Sequence, residues 1–277
     1  MRHTVFIAGC MKKLLFIFLI LFVSLNLRAQ QDPKFSQNMF LSPLFNPGAV
    51  GSSDKICAVA AFRNQWTGIP DAPRTTTLSA HMPVSFLGRS HGVGINLMND
   101  NYGFNNDFYF NGSYAFKLDL GSGRLGLGLN LGLANYSIDA SWTEIEGLTV
   151  LPDPAVPVEG SYFGFDMGLG AYYNTDKMYV GLSVTHLTQA SFDFAQETAE
   201  PSLIRHFYLN GGYLLQLANP MFEIIPSFLI QSDLRSNHIY LNTNLRYNKK
   251  FWGGVSYTVG GAITALAGVE LFNGIMI

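Results

Sequence analysis

The chain has 277 residues, a formal net charge of −2 and a pI of about 6.3. This charge balance gives no basic surface for nucleic acid. Charged residues make up 13% of the chain, against ~25% in a typical soluble domain. The mean hydropathy of +0.18 is nevertheless too low for a bundle of membrane helices. Such an intermediate value is typical of strands that have one apolar and one polar face.

Residues 1–29 have the pattern of a secretory signal peptide. Lys12 and Lys13 precede an apolar run over residues 14–25, and Ala29 ends a small-residue cleavage site. The apolar run is shorter than the ~17 residues that a membrane-spanning helix needs, which disfavours the alternative of an uncleaved anchor. We therefore predict a start at Met11, cleavage after Ala29 and export from the cytoplasm.

Residues 30–54 are predicted to form an irregular leader. Pro33, Pro43 and Pro47 interrupt this stretch, and neither a strand period nor a helix period is present in it. We expect the leader to lie inside or beneath the domain formed by residues 55–277.

The clearest strand pair in the sequence lies between Asn106 and Leu133. A period of two predicts a strand, and Gly121 and Gly123 suit a tight turn between two such strands. These strands are longer than the ~5–6 residues usual in soluble sheets and reach the ~9–11 that cross a bilayer. The pattern therefore predicts an all-β, transmembrane antiparallel β-barrel. The alternating apolar positions are Phe108, Phe110, Tyr114, Phe116, Leu118, Leu120, Leu125, Leu127, Leu129, Leu131 and Leu133.

Similar alternation over residues 55–277 predicts about 12 strands. Long loops are expected at 142–161 and 189–202, and Pro226 is expected to cost its strand a ladder bond unless a bulge relieves it. Residues 274–277 resemble the start of a further strand, so we expect a barrel truncated at its C-terminal end. The predicted strands cover 55–66, 74–82, 91–98, 106–120, 125–133, 162–174, 178–188, 204–217, 221–231, 237–247, 251–259 and 263–271.

No local group of residues predicts catalysis, a cofactor or a metal. Gly126, Gly128 and Gly132 alternate with leucines, which indicates small residues facing a lumen rather than a phosphate-binding loop. Ser183 and His186 are the one local pair of nucleophile and base, and we predict them on opposite faces of a strand. The histidines of the barrel lie on separate strands without metal-ligand spacing, at His81, His91, His186, His206 and His238.

Two further groups of residues have a structural interpretation. Asp100, Asn101 and Asp107 offer oxygen ligands for Ca²⁺ without a loop of the required spacing, which favours a solvated turn. The tryptophans, at positions 66, 142 and 252, fall near predicted strand ends. We predict that they anchor the barrel at the membrane interfaces, with ordinary core packing as the alternative.

Several stretches of the mature chain resemble the PorP/SprF family of outer-membrane proteins from type IX secretion and gliding motility. The most specific lie at 31–37, 46–51, 63–70 and 72–75, and further matches lie at 168–173, 179–183, 205–208 and 253–257. Gly48 stands where the family usually has Ala. The motif positions of unknown role are Asp32, Pro33, Phe35, Ser36, Gln37, Asn46, Pro47, Arg63, Asn64, Gln65, Trp66, Pro73 and Arg74.

The resemblance implies a non-enzymatic barrel of about 14 strands when complete. It implies an integral outer-membrane location and no cofactor. Its expected partners are outer-membrane lipid, other type IX secretion components such as a periplasmic peptidoglycan-associated lipoprotein, and a secreted surface adhesin. The implied function is secretion and surface anchoring of adhesins, or docking of the secretion machine to periplasmic partners.

Two alternatives to this function come from the residues themselves. The polar, glycine-rich face of the strands suits a passive channel for small solutes. A barrel could also assemble a lipid-active enzyme from residues on different strands, a grouping that sequence spacing does not show.

Overall fold

The computed structural model describes residues 32–138, 160–192, 202–272 and 274–277. The chain divides into a first unit, Met1–Asp32, and a second unit, Pro33–Ile277, which holds all the strands. The predicted signal peptide, Trp142 and most of the two long predicted loops lie outside the described residues.

The described chain forms one antiparallel sheet of 14 strands. Its helical parts are a four-residue helix, α1 (Ser42–Phe45), and the 3-10 turns Asn38–Phe40 and Pro47–Ala49. None of the helices within the described ranges has the length and apolar character needed to cross a membrane. The strands are β1 (Cys57–Asn64), β2 (Arg74–Phe86), β3 (Arg89–Tyr102), β4 (Asn105–Leu120), β5 (Gly123–Ile138), β6 (Gly160–Asn174), β7 (Met178–Thr185), β8 (His206–Tyr213), β9 (Leu215–Gln216), β10 (Phe222–Ser232), β11 (Asn237–Tyr247), β12 (Phe251–Thr258), β13 (Ile263–Leu271) and β14 (Ile275–Met276).

Strand order follows the chain, as in an up-and-down antiparallel barrel. Each strand pairs with the next, except that β8 and β9 both pair with β10. The strand predicted over 204–217 is therefore split into β8 and β9, and β14 is the further strand predicted at 274–277. Within the described ranges β1 pairs only with β2, and β14 pairs only with β13.

The two faces of the sheet have inverted polarity compared with a soluble sheet. On β4 and β5, Phe110 lies opposite Leu133 on the outer face, where 41% and 51% of these side chains are exposed. Ser113 lies opposite Asn130 on the inner face, and both are buried. An outer face of exposed leucine and phenylalanine, with polar residues buried inside, is the pattern of a barrel that faces lipid. The period-two prediction for this hairpin is confirmed.

The sheet curves around residues of its own N-terminal segment. Ser42 and Pro43 are adjacent in the chain, yet Ser42 contacts Asn210 on β8 while Pro43 contacts Asn96 on β3. In a flat sheet β3 and β8 would be roughly 24 Å apart, at about 4.8 Å per strand. Both strands can reach neighbouring residues only because the inner face is concave.

Pro226 interrupts the sheet without a bulge. Ser227 pairs with Gly212 on β8, and Ile224 pairs with Leu215 on β9, so no extra residue is inserted between these pairs. The ladder breaks opposite Pro226, which lacks an amide hydrogen. The expected loss of ladder bonding is thus present, and the register is maintained on both sides of the gap.

The prediction that the tryptophans anchor the barrel in the membrane interfaces is wrong for Trp252. Its side chain is only 8% exposed and lies on the inner face, where its ring meets Phe40 edge to face with centroids 5.2 Å apart. Trp66, in contrast, is 62% exposed in the turn between β1 and β2. Strand ends supply both inward and outward positions, so nearness to an end does not decide which way a ring points.

Candidate functional site

The predicted leader, residues 30–54, holds several of the most deeply buried residues in the described part of the chain, and residues 33–54 are here called the plug segment. Leu41, Asn46, Ala49 and Val50 are each at most 2% exposed, although no strand includes them. Pro43 is the second residue of α1, and Pro47 begins the turn Pro47–Ala49. A missing amide hydrogen costs nothing in the first turn of a helix. Of the two expected positions for the leader, inside or beneath the barrel, the structure shows the first.

The inner face of the barrel binds both the main chain and the side chains of the plug segment. Side chains from four strands, β3, β4, β6 and β7, donate hydrogen bonds to main-chain carbonyl oxygens of the segment. These four bonds do not involve the side chains of the accepting residues. These bonds run from Asn96 Nδ2 to Pro43 O (3.1 Å), from Ser183 Oγ to Phe45 O (2.8 Å), from Lys117 Nζ to Gly48 O (2.9 Å) and from Asn174 Nδ2 to Ser52 O (3.4 Å).

Asn46 is the motif residue with the most contacts in the lumen. Its side chain is completely buried, and its Nδ2 donates to Ala171 O on β6 at 3.1 Å. The Oδ1 of Asn46 accepts from the amide of Gly48 at 2.9 Å, which shapes the turn that follows. One amide side chain therefore fixes the local turn and joins it to the barrel wall.

Glycines on the inner face let the plug segment approach the strands. A Cβ built on Gly128 would overlap the main chain of Pro47 and Gly48, and one on Gly126 would overlap the Gly48 carbonyl. Gly170 instead faces the side chains of Asn46 and Pro47. The interpretation of Gly126 and Gly128 as small lumen-facing residues is therefore supported, and contact with the main chain of the segment is the reason for their size.

Gly48 of the plug segment itself lies close to the main chain of the barrel strands. A Cβ there would lie 2.7 Å from Gly126 O and 2.9 Å from Tyr172 N, both main-chain atoms. An alanine at this position would force the segment or the strand to shift.

Aromatic contacts also bind the plug segment to the barrel wall. Phe45 stacks on Tyr208 of β8, with ring centroids 5.1 Å apart, and belongs to a buried cluster with Leu229 and Tyr240. Offset aromatic pairs of this kind add about 0.5–1.5 kcal/mol beyond the area they bury.

The plug segment crosses the lumen from one end to the other. Near its start, Lys34 Nζ lies 3.5 Å from Nδ1 of His238, at the end of the barrel where β1 meets β2 and β5 meets β6. At its finish, Asp54 pairs with Arg124 at 3.3 Å, beside the turn between β4 and β5. We call the first end the loop end and the second the turn end.

The motif residues fall in two groups that meet at the loop end. Pro33, Phe35, Ser36 and Gln37 lie at the start of the plug segment, while Asn46 and Pro47 lie deep within it. The second group lies at the turn between β1 and β2, where Gln65 N donates to Pro73 O at 3.0 Å. Arg63 and Asn64 end β1, Arg74 begins β2, and Gln65, Trp66 and Pro73 lie between the two strands. Burial, and then the charge of Arg63, hold the pKa of Lys34 below its ordinary value. Asp32 belongs to the first unit.

The structure also brings together histidines that sequence spacing separates. His186 Nδ1 lies 2.9 Å from Asp166 Oδ2, and the rings of His186 and His206 are 6.3 Å apart. Ser183, which with His186 formed the one local candidate pair of nucleophile and base, donates its hydroxyl to Phe45 O. Ser183 therefore binds the plug segment, and His186 pairs with Asp166.

Lys117, Asn96 and Asn174 were not predicted as site residues. Lys117 is only 4% exposed and Asn96 only 2%. A signal was present for Lys117, because it is a cation in the middle of an alternating strand whose inner face is otherwise uncharged from Gly112 to Leu118. The binding partner could not be read from the strand, since it lies 69 residues away at Gly48.

Removing one hydrogen bond to the main chain of the plug segment should lower the stability of the protein by a measurable amount. We expect Ser183→Ala to lower the free energy of unfolding by about 1 kcal/mol, because the buried Phe45 carbonyl loses its donor. Urea titration of the refolded protein would give this value. Ser137→Ala is the matched control, since the exposed Ser137 hydroxyl bonds Asn106 O on the outer face, and an equal loss there would contradict the role of Ser183.

An antiparallel sheet with an apolar outer face, a polar inner face and a filled lumen defines a plugged membrane β-barrel. A family model for the type IX secretion system membrane protein PorP/SprF matches residues 27–277. The chain therefore belongs to the PorP/SprF family, and the resemblance drawn from its motifs is confirmed. A comparison with curated proteins gives no match.

Proposed function

We propose that this type IX secretion membrane component resides in the outer membrane and works by binding partners rather than by conducting solutes. The observation that carries the proposal is the plug segment, which contacts the inner face from β3 to β11. A lumen filled in this way argues against a permanently open channel, the alternative that the polar strand face suggested. The predicted signal peptide, cleaved after Ala29, would supply the export step.

The partners in this proposal belong to the secretion system. A secreted surface adhesin, or cargo of that kind, would be anchored by the barrel, and a periplasmic component such as a peptidoglycan-associated lipoprotein would dock it to the machine. The family is one of secretion-system membrane proteins rather than enzymes. We therefore assign the barrel a role without catalysis, in secretion, gliding motility and surface attachment.

Deletion of the gene tests this role directly. We expect the deletion strain to lose surface display of type IX cargo adhesins while it still synthesises them, because the anchoring barrel is missing. Whole-cell immunolabelling with quantification of total adhesin measures this, and a plasmid copy of the gene is the control. Normal display in the deletion strain would contradict the assignment of cargo as the partner.

Partner capture separates the two branches of the proposal. Crosslinking in intact cells, followed by purification of the barrel, should recover either an adhesin or a periplasmic lipoprotein in near-equal amount. If neither partner is recovered but the deletion strain still loses surface display, the barrel acts in secretion without direct contact to an adhesin or a periplasmic lipoprotein.

A further inference from the structure

The lumen has the properties of a binding site for a polypeptide segment. Its donors, which include Asn96, Lys117 and Ser183, reach main-chain carbonyl oxygens of the plug segment. Every residue of every protein carries such an oxygen. Further bonds go to polar side chains of the segment, because Asn210 Nδ2 donates to Ser42 Oγ and Asn242 Nδ2 donates to Asn38 Oδ1. Recognition of this kind depends on the path of the bound chain and on a few polar side chains.

The contacts also define which segments would fit. Residues 35–53 carry no charge and contain two prolines and two glycines. Gly126 and Gly128 on β5 leave room only for a closely approaching main chain, as at Gly48. Among the groups that bond residues 35–53, Lys117 is the one cation in the described part of the chain. An uncharged segment with small residues and a turn therefore matches the site.

The link between the plug segment and the barrel is exposed. Asp54 and Lys55 lie at the surface between the buried residue Gly51 and the first residue of β1, Cys57. The segment is thus attached to the sheet by a short surface connection, and its other contacts with the barrel are non-covalent. A peptide that makes the same contacts would bind by the same forces.

We propose that the lumen is a polypeptide-binding site that recognises a main-chain path together with a few polar side chains, and that the plug segment is its resident ligand. The ligand class is an uncharged segment, containing proline and glycine, from a second polypeptide. The intramolecular segment has the advantage of a high effective concentration. It holds the site closed until a competing segment displaces it. This inference concerns the lumen alone and does not depend on the partners proposed above.

Cutting the exposed link in the folded protein tests the proposal. A specific protease site inserted between Asp54 and Lys55 allows the full chain to fold before it is cut. We expect the cut plug segment to stay bound through gel filtration, and to exchange with an added fluorescent peptide of residues 33–54. Fluorescence anisotropy of the purified, cut protein in detergent measures this exchange.

Matched peptides and an uncut protein provide the controls. A peptide carrying Gly48→Val should bind about tenfold more weakly or worse, because its side chain would meet Gly126 and Tyr172 main-chain atoms. A scrambled peptide should not bind, and the uncut protein should exchange far more slowly than the cut one.

Each result bears on the proposal. Exchange with the matching peptide and discrimination against Gly48→Val support it. A cut segment that never exchanges would show that residues 33–54 are a permanent part of the core. Loss of the cut segment without rebinding, or equal binding of matching and scrambled peptides, would also overturn the inference. Because purified protein suffices, these results leave the secretion role to be decided by the deletion strain.

Discussion

Replacement of Gly128 by valine is expected to open the barrel. A Cβ at Gly128 would overlap main-chain atoms of Pro47 and Gly48, and the valine methyl groups would extend further into the plug segment. Main chain cannot rotate away as a flexible side chain can, so the plug segment must move. We expect little ion conductance from the wild-type protein in planar bilayers, and porin-like conductance steps from Gly128→Val.

The fold itself should survive this change. Overpacking a closely packed site costs about 1–3 kcal/mol, and the strand ladders on both sides of Gly128 do not involve its side chain. Gly128 pairs with Ala115 on β4 and with Gly170 on β6, and these main-chain bonds remain available. Resistance to detergent unfolding at low temperature would verify that the variant is a folded barrel.

A glycine on the opposite face provides the control. Gly112→Val adds the same side chain on β4, where the nearest heavy atom to the new Cβ is Leu131 O at 3.9 Å. We expect this variant to conduct no more than the wild type. Equal conductance of the wild type and a folded Gly128→Val protein would show that the plug segment does not seal the lumen.

The alternation of residues predicted the strands well because each strand is a local pattern. Phe110 and Leu133 were placed on one apolar face from their spacing alone, and the register pairs them directly. The same reasoning could have placed Trp252, since Gly254 and Ser256 share its face and Phe251 and Val255 occupy the other. Its proximity to a strand end was given more weight than its position in the alternation.

The plug segment could not be predicted to the same extent because its contacts are non-local. Asn46 bonds Ala171, 125 residues further along the chain, and Asn210 bonds Ser42 across 168 residues. Prolines and the lack of any period indicated an irregular segment. The side chains that bind it come from many strands, and only the curvature of the whole sheet brings them to one place.

The lipid-facing surface provides the second large expected effect, through Leu131→Arg. Leu131 lies near the middle of β5, on the outer face, where it pairs with Gly112 and Met167 and is 46% exposed. An arginine at the bilayer midplane costs about 2–4 kcal/mol, because the charge must leave water or deform the membrane. We expect this loss in the free energy of unfolding, measured by urea titration in lipid vesicles.

Position along the strand distinguishes a membrane from an ordinary solvent-exposed surface. Ser137→Arg places the same charge on the outer face of β5 close to the loop end, where the expected cost is only about 0–1 kcal/mol. If the outer face met water, both arginines would be tolerated within about 0.5 kcal/mol, as surface substitutions usually are. A small and equal effect at the two positions would therefore contradict the lipid-facing assignment. A cost that is large at Leu131 and small at Ser137 would place β5 across the hydrocarbon layer, with the plug segment enclosed behind it.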